Sequence, residues 1–99
     1  MYVIREIMHC KPGKVRAMVE KFHNLNKLTK DVGMGTMRVM TDVAAERYWT
    51  VISEIEVPNI DEFEQTSKKM MADPKFQEVM KGYHDLVEDG RREIYMIEK

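Results

Sequence analysis

Apolar positions along this chain recur with two different periods, and the switches between them mark out the elements. Tyr2 to His9 is rich in β-branched and aromatic types and ends at Lys11-Pro12-Gly13, which predicts a strand running into a turn. Pro12 and Gly13 open a helix in which Val15, Met18, Val19, Phe22, Leu25, Leu28 and Val32 fall at steps of three and four. Lys14, Arg16, Glu20, Lys21, Lys27 and Lys30 take its other face, and Gly33 is placed as its stop. Gly35 to Thr41 and Arg47 to Val57 read as two strands whose short connection implies an antiparallel hairpin. Pro58 ends the second strand, and Asn59 with Glu62 forms a capping box for a helix carrying Ile60, Phe63, Met70 and Met71 inward. Asp73-Pro74 restarts the helix, with Phe76, Val79, Met80, Tyr83 and Val87 as its apolar stripe and Gly90 as its end. A last strand runs from Arg92 to Glu98.

Alternation within the strands bears on assembly. Tyr2, Ile4 and Met8 fall on one side of the first strand, and Val3 and Ile7 on the other. Tyr48 and Ile52 oppose Trp49, Val51, Ile55 and Val57, while Ile94 and Met96 oppose Tyr95 and Ile97. Both faces of the sheet are therefore substantially apolar, but the helices can cover only one. Leaving the other in water would forgo about 1.5–3 kcal/mol for each large side chain. The same sheet on a second copy is the simplest cover, so a homodimer is expected.

Composition narrows the field. The formal net charge of −1, with 33% charged residues of both signs interleaved, provides no field for nucleic acid or a membrane surface. Cys10 is the single cysteine, which excludes an internal disulfide and fits a reducing, cytoplasmic setting. The first residues lack the pattern of a secretory leader, and no stretch approaches the length of a membrane span.

The pattern resembles the dimeric α/β-barrel superfamily of ferredoxin-like domains, with its antibiotic-biosynthesis-monooxygenase, haem-degrading and NIPSNAP-like groups. The resemblance spans nearly the whole chain. It rests on the opening strand into Lys11-Pro12-Gly13-Lys14, the Tyr48-Trp49-Thr50-Val51 strand, Asp73-Pro74-Lys75-Phe76 and the closing Gly90-Arg91-Arg92-Glu93-Ile94-Tyr95. It implies one domain over residues 1–99, α+β in class, with a four-stranded antiparallel sheet in βαββαβ order. It also implies a ligand cavity between each subunit's sheet and its helices. Haem-degrading members hold iron through a histidine soon after an Asp/Pro-Phe-like stretch. Here Gln77, Glu78, Val79 and Met80 follow Phe76, and His84 comes about a turn later.

The three histidines, His9, His23 and His84, form no spaced pair of metal ligands, and no glycine-rich phosphate loop or nucleophile triad is present. No metal or cofactor is expected. Charges within the strands stand out: Arg5, Glu6, Arg38, Glu54, Glu56 and Glu93 lie among apolar neighbours. In the usual strand order of this fold Arg5 meets Glu54 across the ladder. That contact serves either to fix register or to line a ligand pocket. Trp49, Tyr83, Tyr95 and Phe22 are either core or the wall of an aromatic-friendly pocket. Met34, Met37, Met40, Met70, Met71 and Met80, six of ten methionines, belong to core or to a pliable cavity.

The expected function is binding of a small, partly aromatic organic molecule between sheet and helices. As an enzyme the chain would be a cofactor-independent monooxygenase or isomerase, with His84 and Glu54 as candidate bases and Arg5, Trp49, Tyr83 and Tyr95 against the substrate. The alternative is a non-catalytic binding or assembly module of NIPSNAP-like type.

Overall fold

The computed structural model describes all residues from Met1 to Lys99. The elements are β1 (Tyr2–Cys10), α1 (Val15–Asp31), β2 (Arg38–Thr41), β3 (Thr50–Val57), α2 (Ile60–Met71), α3 (Pro74–Met80), a 3₁₀ turn over Tyr83–Asp85, and β4 (Val87–Met96). The strands form one antiparallel sheet in the order β2-β3-β1-β4, which is the ferredoxin-like βαββαβ arrangement. No helix is long and apolar enough to cross a membrane.

Local chemistry sets most of the boundaries. Lys14 N–H donates to the Lys11 carbonyl at 3.0 Å, and Gly13 takes φ +81°. This is the signature of a turn with proline second and glycine third. Pro12-Gly13 therefore form the turn itself, and α1 starts two residues later at Val15. The Asn59 side chain accepts from Glu62 N–H at 3.0 Å and Asp73 accepts from Lys75 N–H at 2.9 Å, so both expected N-caps are made.

Register places alternate residues of β1 on opposite faces. Ile4 and Cys10 point toward the helices, where two apolar clusters form. One gathers Cys10, Met18, Phe22, Leu25, Val51 and Met70; the other joins Ile4, Ile55 and Val57 to Phe63 of α2. Met18 and Phe22 are essentially inaccessible, and each contributes on the order of 1.5–3 kcal/mol by burial.

The second half of the chain departs from the sequence expectation at its last helix. That helix ends at Met80 rather than Gly90, because Lys81 leaves helical geometry and Gly82 turns left-handed at φ +82°. The end is pinned from α1: Lys21 Nζ donates to the carbonyls of Val79 at 3.3 Å and Lys81 at 2.5 Å. Such a cation satisfies carbonyls left free at a helix C-terminus. Val87 and Gly90 thus belong to β4, which begins five residues earlier than expected.

The hairpin is also shorter at both ends. β2 starts at Arg38, since Gly35 takes φ +98°, and β3 starts at Thr50, since Trp49 is left-handed at φ +63°. Thr50 anchors the connection, its N–H donating to Asp42 Oδ1 and its hydroxyl to the Arg47 carbonyl. Tyr48 therefore projects into solvent instead of continuing a sheet face.

Gly90 has a packing role in β4. A Cβ built there would lie 2.7 Å from Met8 Sδ and 3.2 Å from the Ile7 carbonyl oxygen. Met8 can swing aside but the backbone of the central strand cannot. Gly90→Ala is expected to lower stability by about 1–3 kcal/mol in a urea titration. An unchanged midpoint would contradict this seating of β4 on β1.

Candidate ligand-binding site

The sheet and helices do not close completely on one another. Between them lies a cavity of about 270 Å³ walled mostly by apolar side chains. Ile4 and Ile55 rise from the sheet, Phe22 and Leu25 from α1, Phe63 and Met70 from α2, and Phe76 and Met80 from α3. Met8, Met34, Met37 and Met71 complete a methionine-rich wall, whose unbranched side chains can adapt to varied shapes. Of the six methionines assigned from sequence to this layer, five line the cavity. Met40 does not; it pairs with Ile52 on the opposite face.

The polar groups of the cavity are few and placed by register. Glu6 lies opposite Ser53 on β3 and opposite Arg92 on β4, so Ser53, Glu6 and Arg92 form a row across three strands of the floor. Arg92 Nε donates to Glu6 Oε1, and its guanidinium lies 5.6 Å from the centre of the Phe63 ring. Thr29 also faces the cavity, but its hydroxyl is satisfied by the Asn26 carbonyl at 2.8 Å. Glu6, Met8, Tyr83 and Arg92 are shared with a shallow groove that leads past His84 along the start of β4.

The sequence-nominated residues divide between the two sides of the sheet. Tyr83 lines the cavity and His84 the groove, their rings 4.0 Å apart. Arg5, Glu54 and Tyr95 stand on the opposite face, and Trp49 sits half-exposed before β3, lining neither space. The expected meeting of Arg5 with Glu54 occurs, at 3.0 Å, and Arg38 engages the other carboxylate oxygen. Burial alone would raise the Glu54 pKa, but the hydrogen bonds from Arg38 and Arg5 outweigh it and hold the carboxyl below its ordinary value. A carboxylate so held is a poor proton acceptor, and its geometry fixes the register of β2, β3 and β1.

The network continues across this face. Arg5 lies 5.5 Å from the centre of the Tyr95 ring, and the Tyr95 hydroxyl donates to Glu93 at 2.7 Å. Glu93 also accepts from Arg91 at 2.8 Å. Farther along, Arg47 and His9 both engage Asp89. The second face is consequently more polar than alternation of the apolar residues alone implied. Cys10 is buried, and desolvation raises its thiol pKa, which disfavours the nucleophilic thiolate.

Glu6 stands out in the sequence among the strand charges, whereas nothing in the local pattern singles out Ser53 or Arg92. The usable signal was parity: Glu6 shares the face of Ile4 and Met8, which the apolar pattern had already assigned to one side.

No family model matches this sequence, nor does any curated protein. Among solved structures, a NIPSNAP family protein from Agrobacterium tumefaciens is similar with a TM-score of 0.85 at 13% identity, covering 98% of this chain and 92% of that one. An uncharacterized NIPSNAP domain protein from Burkholderia xenovorans gives 0.81 at 14% identity, over 99% and 95% of the two chains. An antibiotic biosynthesis monooxygenase gives 0.73 at 12% identity, over the whole of both. The chain thus has the ferredoxin-like fold of NIPSNAP-domain proteins and of this monooxygenase; at such identities the likeness is one of fold.

The state of Glu54 has a consequence for stability. A group whose pKa is depressed on folding stabilises the fold above its unfolded value, about 4.3 for Glu, and loses that contribution as pH falls through the folded value. Glu54→Gln is expected to cost about 1–3 kcal/mol at neutral pH, with the gap from wild type narrowing below about pH 4. Urea titrations across pH check this. A gap that stays constant from pH 7 to pH 3 would contradict the clamp.

Proposed function

We propose that this chain forms a homodimer and binds a small, partly aromatic organic molecule in the cavity between its sheet and its helices. The observation that carries the binding reading is the cavity itself: an adaptable apolar enclosure of about 270 Å³ with a short polar row on its floor. Small-molecule sites commonly have this composition, with apolar walls and a few polar groups that fix orientation. The volume suits one or two fused rings rather than a large cofactor.

The dimer reading draws on the outer face and on β4. Val3, Ile7, Ile52, Met40 and Tyr95 share the face away from the helices, interleaved with the arginine–carboxylate network. β4 is an edge strand, and Ile94, Tyr95, Met96 and the following Ile97 are all exposed. An apolar edge invites pairing with another chain, and a second copy would cover it symmetrically. Arg5, Glu54 and Tyr95 act in this reading at the subunit contact instead of on the ligand, with Trp49 beside it.

A second reading, turnover by a cofactor-independent monooxygenase or isomerase, is favoured by one arrangement. His84 borders the groove at the cavity mouth beside the Arg92-paired Glu6, an imidazole within reach of a molecule bound there to serve as base. Tyr83 would contact that molecule directly, and a sheltered pocket with one base meets the needs of such chemistry. The monooxygenase among the fold neighbours makes oxygen chemistry the first to assay.

Two measurements test the proposal. Native mass spectrometry is expected to give twice the 11.7 kDa chain mass, and a monomer at micromolar concentration would contradict the dimer. Saturating naphthalene is expected to raise the melting temperature of the wild type but not of Met70→Trp, whose indole would fill the cavity. An equal rise in both, or none in either, would contradict binding at this site.

A further inference from the structure

The polar row on the cavity floor narrows the ligand class. Ser53 is only 3% exposed and lines the cavity, and since no buried side-chain polar atom is left without a partner, its hydroxyl is either paired or open to that space. A hydroxyl on the wall of a mostly apolar cavity is a ready partner for a polar atom placed there. Its neighbour across the ladder is Glu6, and directly opposed side chains on adjacent antiparallel strands have Cβ atoms about 4.5–5.5 Å apart. One oxygen atom placed between them can reach both.

Charge decides what kind of oxygen it is. The Glu6 carboxylate and the Arg92 guanidinium are paired, so the floor carries no net charge. A ligand anion drawn to Arg92 would meet Glu6 beside it, and a cation would meet the reverse. A hydrocarbon would leave Ser53 and the second Glu6 oxygen facing apolar carbon. A neutral hydroxyl avoids all three penalties, because it donates to Glu6 and accepts from Ser53 through one atom.

We infer that the cavity selects an uncharged ring-bearing molecule whose polar group is a hydroxyl, seated between Ser53 and Glu6. Arg92 is a positioning residue here: stacked near Phe63, it holds the carboxylate so that one oxygen stays turned to the ligand. The inference rests on the cavity being the ligand site, and the test separates the two claims.

The probes are naphthalene, 2-naphthol and 2-naphthoate, titrated calorimetrically into the full chain at pH 7. 2-Naphthol is expected to bind about tenfold or more tightly than naphthalene, the effect of one charge-assisted hydrogen bond, and 2-naphthoate no tighter than naphthalene. Ser53→Ala is expected to remove most of the naphthol advantage while leaving naphthalene binding intact, which also verifies that the variant folds. Glu6→Gln, which frees the arginine from its partner, is expected to strengthen 2-naphthoate binding about tenfold. Equal affinity for naphthalene and 2-naphthol in the wild type, or tightest binding of 2-naphthoate, would overturn the hydroxyl preference while leaving the cavity reading in place. Failure of all three probes to bind would overturn both.

Discussion

The arrangement turns on one buried carboxylate. Glu54, in the middle of β3, is gripped by Arg5 from β1 on one side and Arg38 from β2 on the other. Side chains alternate along a strand, so a slip of one residue would swing Glu54 into the apolar helix-facing layer without a partner. The clamp therefore decides which parity of three strands faces the helices. Once that is fixed, Ile4, Glu6 and Met8 of β1 and Val51, Ser53 and Ile55 of β3 must face inward, and the cavity floor follows from the register.

That consequence separates two polar systems that sequence alone ran together. On the outer face, Arg38, Glu54, Arg5, Tyr95, Glu93 and Arg91 form a network of ion pairs and aromatic contact, on the face that also carries the buried Ile7. On the inner face, Ser53, Glu6 and Arg92 lie among methionines and aromatic rings. In the first system Glu54 and Glu93 both have arginine partners, and the Glu54 clamp holds the sheet in register. The second borders the cavity, and this difference is why the proposed ligand is assigned to the inner face.

Much of the fold was legible in the chain. The caps at Asn59 and Asp73, the amphipathic period of α1, and the Arg5–Glu54 pairing all followed from local rules and the usual strand order. What failed depended on contacts distant in sequence. Gly90 read as a helix stop because glycine often is one, yet it lies in β4, where the backbone of Ile7 across the ladder leaves little room for a side chain. The actual end of α3 was set by Lys21, some sixty residues earlier, and by the backbone of Gly82. The site was less legible than the fold. Glu54 and Tyr95 attracted attention as charge and aromatic within strands, but choosing between the two faces required the pairing register. Tyr83 and His84 came nearer the cavity because they follow the helix that forms part of its wall.

The central claim is that the space between sheet and helices receives a ligand. Its methionines allow a direct observation: the chain labelled at the methionine methyl groups and titrated with 2-naphthol while methyl resonances are followed. The account predicts shifts for Met8, Met34, Met37, Met70, Met71 and Met80, which line the cavity, and none for Met40 on the outer face. Shifts confined to Met40 and Met96, with the cavity methyl groups unmoved, would contradict it.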